Sequence, residues 1–153
     1  MEALRLDELL PYLVNRLGPK VEAGFAGPLR ANGITLPMWR VLAVLRVSGP
    51  LGLNDLGAGT SLPLSTLSRL VGDMVARGLL SRVRKPDDAR AVEVDLTDGG
   101  RAVADAVTPL ARHYETAMAR GFSDVELAEL RRLLIKLYAN MDGIETTWRA
   151  AAE

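Results

Sequence analysis

The stretch Ser81–Gly100, SRVRKPDDARAVEVDLTDGG, decides how this chain is read. In its second half Val92, Val94 and Leu96 alternate with Glu93 and Asp95, and its first half mixes Val83 with Arg82, Arg84 and Lys85. A period of two, interrupted by a proline and paired aspartates, predicts two short strands joined in a hairpin. Leu80, Val83, Val92 and Val94 are expected to face a core, with Arg82, Arg84 and Lys85 on the solvent side. Asp87 and Asp88 fall at the tip. A carboxylate there, two residues from Arg90, is expected to hold that guanidinium extended through charge-assisted hydrogen bonds.

Outside the hairpin the apolar spacing is helical. Leu6, Leu9, Leu10, Leu13, Val14, Leu17, Val21 and Phe25 recur three and four apart, one face of a long helix. Pro11 is tolerated in its first turn, Gly18–Pro19 should kink it, and the glycine of ANGIT ends it. In TLPMWRVLAVLRVSGP (residues 35–50), Thr35 offers an N-cap oxygen and Pro37 suits the first turn. Met38, Val41, Leu42 and Leu45 form the core face. LGLNDLGAGTS (51–61) reads as a helical turn around Leu53 and Leu56, short or mobile, because each glycine costs about 1 kcal/mol against alanine.

The next helix lies in SLPLSTLSRLVGDMVARGLL (61–80), with Leu64, Leu67, Val71, Met74 and Val75 inside and Gly78 as its stop. Its start is expected at Ser61, with Pro63 in the first turn. Ser65, Thr66, Ser68 and Arg69 occupy its other faces. Beyond the hairpin a long helix follows Thr97, with Val103, Val107, Leu110 and Met118 inside and a bend at Pro109. Ser123 and Glu126 make a capping box for a last amphipathic helix bearing Leu127, Leu130, Leu134, Leu137 and Met141.

Composition narrows the function. The 153 residues, 48% hydrophobic and 25% charged, fit one globular domain. No apolar run is long enough for a membrane helix and the N-terminus is acidic, so a cytoplasmic protein is expected. The absence of cysteine removes disulfides, thiolate nucleophiles and zinc–thiolate sites. With one histidine, no nucleophile elbow, no Gly-rich phosphate loop and no metal-ligand spacing, neither catalysis, nor a metal, nor a cofactor is expected. Net charge is zero, but Ser61–Val92 carries six basic residues against three acidic ones. That local excess marks a surface meant for an anion.

Compact helices, a third helix with small hydroxyls and an arginine at its exposed start, then a hairpin: this order describes a mostly α, winged helix-turn-helix fold. Ser65, Thr66 and Ser68 can bond base edges in a major groove, and Arg69 can grip guanine O6 and N7 together. Arg82, Arg84, Lys85 and Arg90 would meet phosphates or a narrow minor groove, with Asp88 orienting Arg90. Double-stranded DNA is the expected partner. A winged-helix adaptor that binds protein instead is the competing reading.

The chain resembles the multiple-antibiotic-resistance regulator (MarR) family of bacterial transcription factors along nearly its whole length. The resemblance is carried by PLRANGITLPMWRVLAVLRVSGPL, LSTLSRLVGDMVARGLLSRV, PDDARAVEVDLTDGGRAV and the closing capped helix. The tip Asp88–Arg90 matches that family's Asp-x-Arg wing signature. The resemblance implies a homodimer joined through residues 1–33 and 98–153, with residues 34–97 as the DNA-binding lobe, acting on a near-palindromic operator. It also implies a repressor that releases DNA on binding a small phenolic or lipophilic ligand. Tyr12, Trp39 and His113 are the candidate lining of such a pocket, although core packing for Trp39 and solvation for His113 are the plainer readings.

Overall fold

The computed structural model describes residues 5–85, 88–142 and 144. After a single 3-10 turn at Leu6–Glu8, the elements are α1 (Leu10–Ala31), α2 (Leu36–Ser48), α3 (Leu53–Thr60), α4 (Leu64–Ala76), β1 (Leu80–Lys85), β2 (Asp88–Leu96), α5 (Asp98–Met118) and α6 (Asp124–Met141). The chain divides into two compact units, Met1–Tyr114 and Glu115–Glu153.

The core of the first unit draws on every element from α1 to α5. Phe25 and Leu29 come from α1, Met38, Val41, Leu42 and Leu45 from α2, Leu56 from α3, and Leu67, Val71 and Met74 from α4. Leu80, Val94 and Leu96 of the hairpin, Ala104 and Val107 of α5, and Ile34 and Leu79 from the connecting turns complete it. Pro19 and Pro28 lie inside α1 without ending it. At the start of α2 the expected N-cap fails: Thr35 holds the position but makes no side-chain cap bond. Leu64, Leu110 and Met118 are exposed rather than buried. The inward face of α5 is instead Gly100, Ala104 and Val107, with Ala111 and Tyr114 packed behind them.

The glycine-rich segment is short, as expected, but more than one helical turn. It forms the eight-residue helix α3, with Leu56 and Thr60 buried and the Thr60 hydroxyl bonded to the Leu56 carbonyl at 2.7 Å. A Cβ on Gly57 would stand 3.0 Å from Leu64, and one on Gly59 would stand 3.0 Å from Val44. The glycines that weaken this helix in isolation therefore let it lie close against α2 and α4, and packing outweighs propensity.

The start of α4 also differs from expectation. Ser61 is the left-handed C-cap of α3 (φ 56°), so α4 cannot begin there. Pro63 is extended at the N-cap position, and its carbonyl accepts from Leu67 N at 2.9 Å. No side chain caps the first turn of α4.

Strands β1 and β2 are antiparallel, pairing Leu80 with Leu96, Arg82 with Val94 and Arg84 with Val92, and the register shifts between Arg84 and Lys85. Leu51 adds a short third arm, bonding Val94 in both directions. Directly paired residues share a sheet face. Leu80, Arg82 and Arg84 therefore lie on the face that Leu96, Val94 and Val92 occupy, and Val83 lies on the opposite one. The expected grouping of Leu80 with Val83 is thus wrong by parity, since residues three apart point opposite ways. Val92, expected inside, is 53% exposed where the hairpin runs out beyond the core.

In the second unit, α6 carries the expected capping box. Ser123 Oγ accepts from Glu126 N, and Ser123 N donates to a Glu126 carboxylate oxygen at 2.8 Å. These bonds hold the Glu126 carboxyl below its usual range. Their contribution is present above the ordinary glutamate value and is lost as pH falls through the lowered one. No residue of α6 is buried: Leu130, Leu133, Leu134, Tyr138 and Met141 are all exposed.

Candidate nucleic-acid interface

Helix α4 is amphipathic, and the packing of Leu67, Val71 and Met74 fixes which side faces out. Ser65, Thr66, Ser68 and Arg69 are all exposed on its first turns. The three hydroxyls have no hydrogen-bond partner among the described residues, and Arg69 reaches only its own helix, donating to the Ser65 carbonyl at 3.4 Å. Groups left free in this way are available to a ligand.

Arg82 and Arg84 are exposed and form no ion pair among the described residues. Because the register turns Arg82 toward the Val94 side, it lines one groove of about 290 Å³ together with Leu53, Ser68, Val71, Val92 and Val94. The groove is where α3, α4 and the wing converge. The strand register thus places the wing arginine on the same groove as Ser68 of α4. Lys85, Asp88 and Arg90 belong to the strands, but their side chains, and hence the expected Asp88–Arg90 brace, lie outside the described residues.

The base of the wing is fixed by polar bonds. The Arg101 guanidinium donates to Asp95 at 3.0 Å and to the Leu96 carbonyl at 3.2 Å. The Thr97 hydroxyl accepts from Gly100 N at 3.0 Å and donates to the Gly78 carbonyl at 2.6 Å, joining the end of α4 to the start of α5.

An eight-residue α3, a turn, an exposed hydroxyl-bearing α4 and a two-stranded wing form a winged helix-turn-helix. The family model described as MarR family matches residues 32–91, which span α2 to the wing. A MarR family transcriptional regulator from Silicibacter pomeroyi DSS-3 is 32% identical, covering 91% of this chain and 99% of that one, with a TM-score of 0.76. The chain belongs to the MarR family.

As a MarR family member it is a DNA-binding transcriptional regulator and not an enzyme. A mutant of MarR from Escherichia coli, solved with operator DNA, is 25% identical over 88% of this chain and 99% of that one, with a TM-score of 0.76. BpsR of Bordetella bronchiseptica, whose DNA binding is described as regulated by 6-hydroxynicotinic acid, is 26% identical, with coverages of 89% and 97% and a TM-score of 0.81.

Of the three residues considered for a ligand pocket, Trp39 is partly buried, and Tyr12 and His113 are exposed. Trp39 packs edge-on against Phe25 at 6.4 Å, and Phe25 stacks on Tyr114 at 5.3 Å. Tyr12 lies thirteen residues before Phe25 on α1, about 20 Å along the helix. It is partly exposed, with Arg16 over its ring at 5.4 Å. His113 is exposed on α5. Tyr114, which was not singled out from sequence, is the aromatic that α5 contributes here, and its hydroxyl donates to the Val21 carbonyl at 2.8 Å. Its spacing from Ala104, Val107 and Ala111 on one face of α5 was the available signal.

Proposed function

We propose that this MarR family regulator acts as a homodimeric repressor on a near-palindromic operator and that a small phenolic or lipophilic ligand releases it. The observation that carries the DNA-reading part is the set of unpartnered groups on α4 and β1. Ser65, Thr66, Ser68 and Arg69 read base edges in the major groove, while Arg82, Arg84, Lys85 and Arg90 hold the backbone or minor groove, with Asp88 orienting Arg90. The uncapped start of α4 adds to this: Pro63 supplies no side-chain acceptor, so the first-turn amides remain open to a phosphate.

Dimerisation is supported by apolar faces that the single chain leaves uncovered. Leu10, Leu13, Val14 and Leu17 on α1 are each 44% or more exposed, and α6 buries nothing. A second copy is the partner that would cover both, with residues 1–33 and 98–153 as the dimer region and 34–97 as the DNA-binding lobe. A protein bound to an operator that overlaps a promoter excludes polymerase, which gives repression. The BpsR relative supports ligand release, with Tyr12, Trp39 and His113 as the residues to test at a site completed by dimerisation. Among the described residues no helix is long and apolar enough to cross a membrane, and a regulator of this kind works in the cytoplasm, where the DNA is.

Arg69→Ala tests the recognition helix. The substitution is expected to relax preference at one base position by about 1–3 kcal/mol, with other positions unchanged. Competition binding with single-base operator variants reads this directly. An unchanged preference at every position would remove Arg69 from base reading. The adaptor reading is tested by salt: DNA affinity should fall steeply between low and moderate salt, whereas an adaptor would retain little DNA at either.

A further inference from the structure

Arg77 stands at the C-cap of α4, on the end of the helix away from the residues assigned to base reading. A cation there is expected simply from the helix dipole. Its contacts go further. One guanidinium nitrogen (Nη1) reaches the Met38 sulfur at 3.2 Å and lies 3.8 Å from the Asp73 carboxylate. The other terminal nitrogen (Nη2) donates to the carbonyl of Gly33, in the turn between α1 and α2. Gly33 is left-handed (φ 70°), and its own N–H bonds the Arg30 carbonyl at 3.0 Å. Met38 is buried in the first turns of α2. One planar fork therefore joins the end of α4 to two places in the preceding helical pair.

We propose that Arg77 is a positioning residue for the recognition helix: it sets the position and pitch of α4 relative to α2 without touching DNA. The inference rests on the reading of α4 as the base-reading helix. Bidentate and hydroxyl bonds to base edges tolerate little displacement, whereas phosphate contacts from long flexible side chains adapt to it. Loosening the C-terminal end of α4 therefore affects specific binding more than non-specific binding. A lysine at this position keeps the charge but presents one ammonium in place of a two-ended fork.

The test uses the full-length chain as wild type, Arg77→Gln and Arg77→Lys, each first shown to be folded by urea titration. Affinity is measured on an operator selected from random DNA and on a shuffled duplex, from 50 to 200 mM salt (roughly the range over which phosphate contacts dominate). Arg77→Gln is expected to weaken operator binding about tenfold, a hydrogen-bonded charge being lost, while the shuffled duplex changes less than about twofold. The salt slope should stay the same, and Arg77→Lys should recover only part of the loss. Equal losses on both duplexes with a salt slope reduced by about one would make Arg77 a phosphate contact and overturn the proposal. Operator binding unchanged in both variants would overturn it too, as would full recovery in Arg77→Lys. If Arg77→Gln is unfolded, Arg77→Lys alone decides: a preserved operator-to-shuffled ratio refutes positioning. A wild type that fails to tell the two duplexes apart refutes the base-reading assignment itself, a separate result visible before any variant is compared.

Discussion

Gly100→Ala is expected to destabilise the chain by about 3 kcal/mol and lower its Tm by about 10 °C. A Cβ at this position would lie 2.0 Å from the Leu79 carbonyl oxygen and 3.1 Å from its carbon. The obstacle is backbone, not the end of a flexible side chain. Leu79 cannot move freely, because its N–H bonds Met74 and its carbonyl accepts from Thr97 N at 3.1 Å. Relief of the clash must break the junction at which α4, the wing and α5 meet. Gly99→Ala serves as the internal comparison, since its Cβ would sit 3.3 Å from the Gly78 carbonyl, which is tight but not overlapping. Thermal unfolding should rank wild type above Gly99→Ala and Gly99→Ala well above Gly100→Ala. A Gly100→Ala protein melting within 2 °C (roughly 1 kcal/mol) of wild type would refute this packing.

The second large effect concerns assembly. Leu13→Glu on α1, or Leu134→Glu on α6, is expected to give folded monomers that bind operator at least about 100-fold more weakly. Leu13 and Leu134 are 44% and 46% exposed in the single chain, so a glutamate there has access to water and need not unfold the monomer. In a dimer that buries these faces it would place an unpaired charge in an apolar contact. Operator binding then loses its second half-site, and with it the gain from joining two modules. Sedimentation velocity and circular dichroism together read the outcome. Variants that remain dimeric with unchanged operator affinity would show that these faces are not the subunit contact.

The pieces of this fold that were legible in the sequence share a local cause. The helical periodicities of α2 and α4, the hairpin and the Ser123–Glu126 capping box depend on neighbours a few residues away, and each is present. Segments set by distant packing were misread. Gly57 and Gly59 read only as a cost to the helix because their tight neighbours, Leu64 and Val44, lie in other helices. The inner face of α5 was drawn through Leu110 and Met118 by hydropathy. The burial falls on Gly100 and Ala104, whose small size lets the helix approach the core. In the wing, counting apolar residues without parity placed Val83 inside, while Val92 has the inward parity of Val94 and Leu96 but lies beyond the core.

The candidate interface was legible to a similar degree. The four α4 residues stand out because helical spacing separates them from Leu67 and Val71. Arg77 was not separable from an ordinary helix-end cation, since its partner Gly33 is 44 residues away. Arg101 escaped notice for a simpler reason, because its Asp95 partner lies across the end of a strand.

The most direct test of the account is selection of bound sequences from randomised double-stranded DNA by the purified chain, over several rounds. An enriched inverted repeat with half-site centres about 10 bp apart, one helical turn, is expected, as a two-fold dimer placing α4 in successive major grooves requires. Enrichment of no motif at either low or moderate salt would contradict it, and would move the protein-binding adaptor reading to the front.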